Sequence, residues 1–347
     1  MATPDTVASL GEAALVDRIR QRAGSPPDWL HVGIGDDAAV FAPERNALQV
    51  ITADSLVEHV HFESSWSGYD AIGYKAVAIN LSDLAAMGAE PRGLLLSLAL
   101  PGAFALHDFD ALIDGVIEAA GEAKASLIGG NLSQSPGPVV VDVTAFGAAR
   151  PRRLLTRSGG RAGDDLYVTG ALGAAAAGLL LLRRGTPDRD ALDEAARGCI
   201  ARFERPRARI RCGLLVARTR SANAAVDLSD GLAASVRLIA AASGTGAVVD
   251  ARAIPIHPGV EPLARHALET AVAGGEDYEL LFAVPPKRRR TFLAAVGRAG
   301  RLPVTKVGQL TRESGCWLRN ERDERVALVE GFRHFSPQDL AGLRSPS

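Results

Sequence analysis

Asp36 and Asp37 follow HVGIG, Asp54 follows VITA, Asp83 closes AINLSD, and Asp227 and Asp230 stand in AVDLSD; Glu276 and Asp277 precede the apolar run YELLF. Most of these carboxylates come at the end of an apolar, strand-like run. Several have Gly or Ala beside them, so little bulk separates them from a ligand. Any one of them reads as a turn residue or a helix cap. If they converge, they repel one another strongly unless cations fill the space. Oxygen donors without His or Cys partners suit a hard ion such as Mg2+, which is held by a few carboxylates and keeps its other positions for water and phosphate oxygens. The chemistry this predicts is Mg-dependent work on a phosphorylated, nucleotide-type substrate.

One element occurs twice. AINLSDLAAMG (78–88) and AVDLSDGLAAS (225–235) share an apolar residue, Asn or Asp, Leu-Ser-Asp, and then small apolar residues. A single copy reads as a helix cap, because Ser and Asp are preferred there. Two copies in matching contexts shift the reading toward a shared function, through an ancestral duplication or two similar domains.

Other motifs narrow the chemistry. The chain has no GxxxxGK[ST], so it is not a P-loop enzyme. GIGDDA (33–38) looks like a dinucleotide turn, but its two aspartates would repel a pyrophosphate. VTGALGAAAAG (168–178) is a better phosphate-type turn into a helix, where backbone N–H groups attract anions. Gly170 and Gly173 would equally serve close strand–helix packing, and the sequence leaves both readings open. His59 and His61 of HVH are expected on one strand face as surface histidines without a third metal ligand. No GxSxG elbow is present, and the cysteines lack a catalytic setting. Lys287–Arg290 (KRRR) reads as a solvated helix start.

A chain of 347 residues fits two domains of roughly 150 residues each. Its net charge is −1, from 39 basic and 40 acidic residues, so no basic excess points to nucleic acid. Cys199, Cys212 and Cys316 are too scattered for a zinc site and read as reduced thiols. The N-terminus has no signal-peptide pattern, and the apolar stretch Leu172–Leu182 is too short to span a bilayer. A cytoplasmic protein with no membrane or nucleic-acid partner is expected.

The expected elements alternate between strands and helices. In the first half, a helix over Leu10–Arg22 stops at Gly24 and Pro26-Pro27. Strands are expected in DDAAVFAP, LQVITADSLV and GLLLSLALP, with a helix from about Asp70 to Met87. A second helix runs from Asp108 to Lys124, capped by His107-Asp108, before strands ASLIGG and PVVVDVTAFGAA. RPRRLLTRSGGRAGD reads as the connection between domains 1–150 and 151–347. The second half has strand DLYVTG, an Ala/Leu helix, AAVDLSDG, a helix over Leu232–Ala242, AVVDARAIPI, ELLFAVP, a helix after Pro286 and a β-rich tail.

GIGDDAAVF, ITADSLVEHVHF, GYKAVAINLSDLAAMGAEP, DLSDGL and GGEDYELLF, in this order and spacing, resemble the thiamine-monophosphate kinase family. That family sits in the superfamily of aminoimidazole ribonucleotide synthetase and selenophosphate synthetase. The resemblance covers about residues 10 to 335. It implies an α/β chain of two domains, the N-terminal one binding ATP and Mg2+, with N-terminal sheets joined into a barrel in a homodimer. It implies a reaction in which ATP and thiamine monophosphate give ADP and thiamine diphosphate, with several Mg2+ ions. The Mg2+ ligands it implies are Asp36, Thr52, Asp54, Asp83, Asp227 and Asp230. ATP contacts fall at Gly130, Asn131, Arg157 and Ser229; thiamine phosphate contacts fall at His61, Glu276 and Phe332. No general base is implied, because the acceptor phosphate is already largely ionised near pH 7.

Three departures stand out. Asn131 of GGNLSQS replaces a family aspartate, Ala53 stands where a hydroxyl often assists the metal, and Ile113 stands at the place of a tyrosine near the nucleotide. Selenophosphate synthetase needs a reactive Cys or selenocysteine near its N-terminus, whereas the first cysteine here is Cys199. Aminoimidazole ribonucleotide synthetase lacks the pairing of HVHF with GGEDYEL. A non-catalytic nucleotide sensor would bind ATP without making ADP when the acceptor is added, and the intact Asp54, Asp83, Asp227 and Asp230 speak against it.

Overall fold

Two sheets organise the chain in a computed structural model that describes residues 5–185 and 188–329. At the start, the helix expected over Leu10–Arg22 is α2 (Glu12–Ala23), and Gly11, with a φ of 80°, separates it from a short additional helix, α1 (Val7–Leu10). A short antiparallel pair, β1 (Leu30–Val32) and β2 (Val40–Phe41), leaves GIGDDA as the turn between them. Of the expected strand DDAAVFAP, Val40 and Phe41 form the strand, while Asp36 makes an isolated bridge to Ile34 and the chain bends at Asp37 and Ala38.

The first sheet has four strands in the order β3-β6-β4-β5: β3 (Leu48–Val57), β4 (Glu90–Leu100), β5 (Ser126–Gln134) and β6 (Val140–Ala149). Helices α3 (Tyr69–Ala86) and α4 (Leu106–Glu122) cover one face. Inward residues Leu94, Leu96 and Leu98 of β4 meet Val141, Val143 and Ala145 of β6 in that core. The alternate residues face outward, where Ile51 is 69 % exposed and Leu95 is 37 % exposed. The helix start expected at His107-Asp108 is instead capped by Ala105.

The second sheet has seven strands in the order β13-β12-β9-β11-β7-β10-β8. They are β7 (Asp165–Thr169), β8 (Ala224–Asp227), β9 (Gly246–Asp250), β10 (Leu280–Val284), β11 (Val304–Thr311), β12 (Cys316–Arg319) and β13 (Arg325–Ala327). Around them lie α5 (Ala174–Arg183), α6 (Glu194–Glu204), α7 (Ile210–Thr219), α8 (Leu232–Ser243), α9 (Val260–Leu263), α10 (Ala267–Ala273) and α11 (Arg289–Ala299). Leu281 and Ala283 of β10 face a core with α8 and α10, while Leu280, Phe282 and Val284 face one with α7 and α11. Burial on both faces makes these strands continuous apolar runs rather than alternating ones.

Helix α3 joins the halves. It is buried nearly all round, as a helix with no polar face must be. Its last turn carries Ala85 and Ala86 into the core of the second half, beside Cys212, Val216 and Ala225. A Cβ at Gly213 of α7 would collide with the Ala85 carbonyl, so the two helices touch backbone to backbone. The packing of α3 against α7 and β8 thus sets the distance between the carboxylates of the two halves.

Candidate active site

The two Leu-Ser-Asp copies differ in structure. Asn80–Asp83 lies inside α3, near its C-terminal end, whereas Asp227 ends strand β8 and Leu228–Gly231 is the loop into α8. Neither copy caps a helix: α8 is capped by Gly231 with no side-chain bond. The matching contexts expected from sequence are therefore absent, because the same residues continue a helix in one place and end a strand in the other. The copies nevertheless meet. Ser82 Oγ donates to Asp227 Oδ2 at 2.8 Å, and Thr52 Oγ1 of β3 donates to Asp83 Oδ2 at 2.5 Å.

Four of the predicted carboxylates gather at this junction. Asp227 is 3 % exposed. Its burial pushes its carboxyl up to about 7; the Asp83 and Asp54 charges push the same way, against the Ser82 hydrogen bond and Arg157. Desolvation also raises Asp83, against Thr52 and Arg157. Asp54 lies at the exposed edge of the sheet. Desolvation there, then the charges of Asp83, Asp230 and Asp142, push its carboxyl up to about 6. Asp83 also sits in the last turn of α3, where the helix dipole is unfavourable to an anion. A cleft of about 500 Å³ opens here, lined by Thr52, Asp83, Arg157 and Asp227.

Asp36 and Asn131 lie elsewhere. With Gly130, they line a cavity of about 840 Å³ on the outward face of the first sheet, together with Ile51, Leu95 and Asp142. Strand register places Ser55, Asp142, Ser97 and Asn131 in one row across all four strands. Ser55 Oγ donates to Asp142 Oδ2 at 2.5 Å, and Asn131 Nδ2 donates to Ser133 Oγ at 2.9 Å. Asp142 went unnoticed in the sequence reading. It belongs to this cavity and is also an electrostatic neighbour of Asp54. Its signal was a lone carboxylate inside the β-branched run VVVDVTAF. Ala53 is exposed on the same face, and Ile113 is fully buried in the core under α3 and α4.

His59 and His61 are not on a strand. Strand β3 ends at Val57, and the chain turns through His59, whose φ is 68°. His59 pairs with Glu63 at 2.9 Å, and His61 Nδ1 accepts the Val57 N–H at 3.1 Å. Glu276, with φ 69°, donates its N–H to the Ser229 carbonyl at 2.6 Å, which ties its loop to the second Leu-Ser-Asp. Phe332 lies outside the described residues.

The glycine turn before α5 is a packing device and not a phosphate cradle. Asp277 already occupies it, accepting the Gly173 N–H at 2.7 Å and the Ala175 N–H at 3.3 Å. A Cβ at Gly170 would collide with the carboxylate of Glu279. That fully buried carboxylate accepts from Thr169 Oγ1 at 2.6 Å and from Arg202 Nη2 at 2.8 Å, and it also pairs with Arg209. Lys287–Arg290 starts α11 in solvent, as expected.

Among the described residues, no three His, Cys, Asp or Glu side chains form a ready-made metal cage. The donor chemistry still fits Mg2+. Every candidate ligand at the junction is a hard oxygen, and Asp227 is a buried carboxylate beside Asp83 and Asp54, with Arg157 as a nearby cation. An ion completed by water and phosphate oxygens needs only one or two protein carboxylates. Among the described residues, no helix is long and apolar enough to cross a membrane, and Cys199, Cys212 and Cys316 are free thiols.

Comparison with known proteins identifies the family. The AIR synthase related protein family matches through its N-terminal domain over residues 35–149 and its C-terminal domain over 161–317. The thiamine-monophosphate kinase of Escherichia coli K12 is 39 % identical over 335 residues, covering 94 % of this chain and 98 % of that protein. The crystal structure of thiamine-monophosphate kinase from Stenotrophomonas maltophilia K279a superposes with a TM-score of 0.79 at 38 % identity, covering 89 % of this chain and 96 % of that one. AaThiL, solved in complex with AMPPCP and TMP, gives 0.74 at 31 % identity, covering 94 % and 98 %. The chain belongs to the AIR synthase related proteins and, within them, to the thiamine-monophosphate kinase family.

Proposed function

We propose that this chain transfers the γ-phosphoryl group of ATP to the phosphate of thiamine monophosphate, giving thiamine diphosphate and ADP. One observation carries the reading: Asp54 and Asp83 of the first half and Asp227 and Asp230 of the second crowd together across the Ser82–Asp227 hydrogen bond. A cluster of carboxylates that can hold cations suits a reaction whose difficulty is bringing two anions together.

The transfer is direct and in line. An oxygen of the acceptor phosphate bonds to the γ-phosphorus as the bond to the β–γ bridging oxygen breaks, and ADP leaves with that electron pair. Phosphoryl transfer of this kind depends on positioning and charge neutralisation more than on proton movement. No side chain acts as a general base. Thr52, Asp54, Asp83, Asp227 and Asp230 at the junction would hold Mg2+, with Asp36 contributing from the outward cavity, and the metal would supply charge neutralisation for both phosphates. Thr52 fixes the Asp83 carboxylate, and Ser82 fixes that of Asp227. Arg157, an electrostatic neighbour of both, contributes a positive charge to the ATP. Gly130, Asn131 and Ser229 complete the nucleotide contacts; His61, Glu276 and Phe332 hold the acceptor.

The division near residue 150, a cytoplasmic location and a homodimer belong to the same reading. The open face of the first sheet, with exposed Ile51 and Leu95, is the surface on which two copies join into a barrel. A rapid-quench turnover with γ-labelled ATP tests the mechanism. Label passing straight into thiamine diphosphate is expected, and label held on the protein would contradict direct transfer.

A further inference from the structure

Lys75 is a charged residue that the reaction as described leaves unused. It lies on α3, and its side chain is 4 % exposed. Its ammonium sits 2.9 Å from Glu276 Oε1 and 3.7 Å from the centroid of the Phe203 ring. No directed hydrogen bond reaches Nζ within the described structure, so an ammonium with three donors is buried with one carboxylate and one ring. A helix buried on all sides does not need a charge there. An apolar side chain of similar volume would usually be at least as stable.

The surroundings indicate what the charge is for. Phe203, on α6, packs in a cluster with Trp66 of the segment that follows His61. Ser67 Oγ donates to Glu204 Oε1 at 2.9 Å, which fixes that segment to the same helix. Glu276 is 25 % exposed at its side chain and stands on a left-handed backbone next to Ser229. Lys75 therefore lies where three segments meet: the one after His61, the start of the Glu276 loop, and α6. A partly exposed glutamate on a turn is free to swing among rotamers unless something holds it, and Lys75 is the cation placed to do so.

We infer that Lys75 is a positioning residue: its buried ammonium holds the Glu276 carboxylate in place and so sets affinity for the cationic thiamine portion of the acceptor. This rests on the proposed reading, in which Glu276 contacts that acceptor. Lys75 itself touches neither substrate. Its effect is expected on the acceptor, because Lys75 meets Glu276 only at its side chain, whereas Glu276 meets the nucleotide contact Ser229 through its backbone N–H.

Steady-state kinetics of the full-length enzyme test this with Lys75→Met, Glu276→Gln and the double variant. Lys75→Met is expected to raise KM for thiamine monophosphate by about tenfold, the size of a lost charge-assisted contact. KM for ATP should change less than twofold. In the Glu276→Gln background, adding Lys75→Met should change the acceptor KM no further, since the residue acts through Glu276. Additive effects, or equal rises in both KM values, would overturn the positioning role. If Lys75→Met folds only once Glu276→Gln is also present, as thermal unfolding would reveal, the pair is structural and the inference also fails. An unchanged acceptor KM in Glu276→Gln alone would instead count against the reading of Glu276 as an acceptor contact.

Discussion

Ser82 and Asp227, 145 positions apart, form the 2.8 Å hydrogen bond that joins the Leu-Ser-Asp of α3 to the Asp-Leu-Ser-Asp that ends β8. Asp227 is buried among acids, so its one hydroxyl donor counts for stability as well as for orientation. Ser82→Ala is expected to lower unfolding free energy by about 1–3 kcal/mol, the effect of leaving a buried carboxylate without its donor. Denaturant unfolding of the metal-free protein measures it, and an unchanged midpoint would show that the contact carries no stability.

Glu279 anchors the second half differently. Its buried carboxylate is shared by Arg202, Arg209 and Thr169, so Glu279→Gln leaves two guanidinium groups short of their counter-charge. Loss of one partner from such a network typically destabilises by about 3 kcal/mol or more. A loss below about 1 kcal/mol in chemical unfolding would mean that solvent satisfies the arginines instead.

Asp277 links stability to pH. Burial pushes its carboxyl up to about 7, against the pull of the Gly173 and Ala175 N–H groups. The unfolded chain releases this proton near an ordinary aspartate value of about 4, and the folded chain keeps it to about 7. Between those values the folded state binds more protons, so its stability falls as pH rises through the window. Asp277→Asn removes this term and still offers an amide oxygen to Gly173. Unfolding midpoints at pH 5 and pH 7.5 should differ less in Asp277→Asn than in wild type. Asp227, which titrates in the same range, leaves a residual slope.

The open sheet face predicts assembly. Ile51 is 69 % exposed beside Leu95, Phe146 and Phe41 around the outward cavity. Light scattering is expected to give twice 36.3 kDa for the wild type and the single-chain mass for Ile51→Asp. A wild-type monomer would remove this face from the account.

What could be read from sequence depended on how local the signal was. Strand Leu48–Val57 was read over its full length, and α3 within a residue at each end, because β-branched content in one and Ala/Leu content in the other are continuous. Helices α6 and α7 were not anticipated at all. Their arginines and Pro206 hide an amphipathic pattern whose apolar side, Cys199, Phe203 and Val216, appears only on packing. The two histidines of HVH look like a strand in one dimension, but the positive φ at His59 has no local sequence cue. The carboxylate list was legible residue by residue. Its division into an interdomain junction and an outward cavity was not, because strand register and the α3–α7 contact decide it. Asp142 and Lys75 were missed for one reason: each is a single polar residue in an apolar run, and its partner lies far along the chain.

The central claim is that carboxylates from the two halves gather to unite two phosphates directly. The most direct test supplies purified protein with ATP, Mg2+ and thiamine monophosphate, resolves products by chromatography, and repeats the assay with Asp227→Asn and with free thiamine. The account predicts thiamine diphosphate and ADP in equal amounts from the wild type, none from free thiamine, and at least a hundredfold lower rate for a folded Asp227→Asn, on the order of the loss of one electrostatic element of an active site. ATP bound without thiamine diphosphate being formed, or full activity in Asp227→Asn, would contradict it.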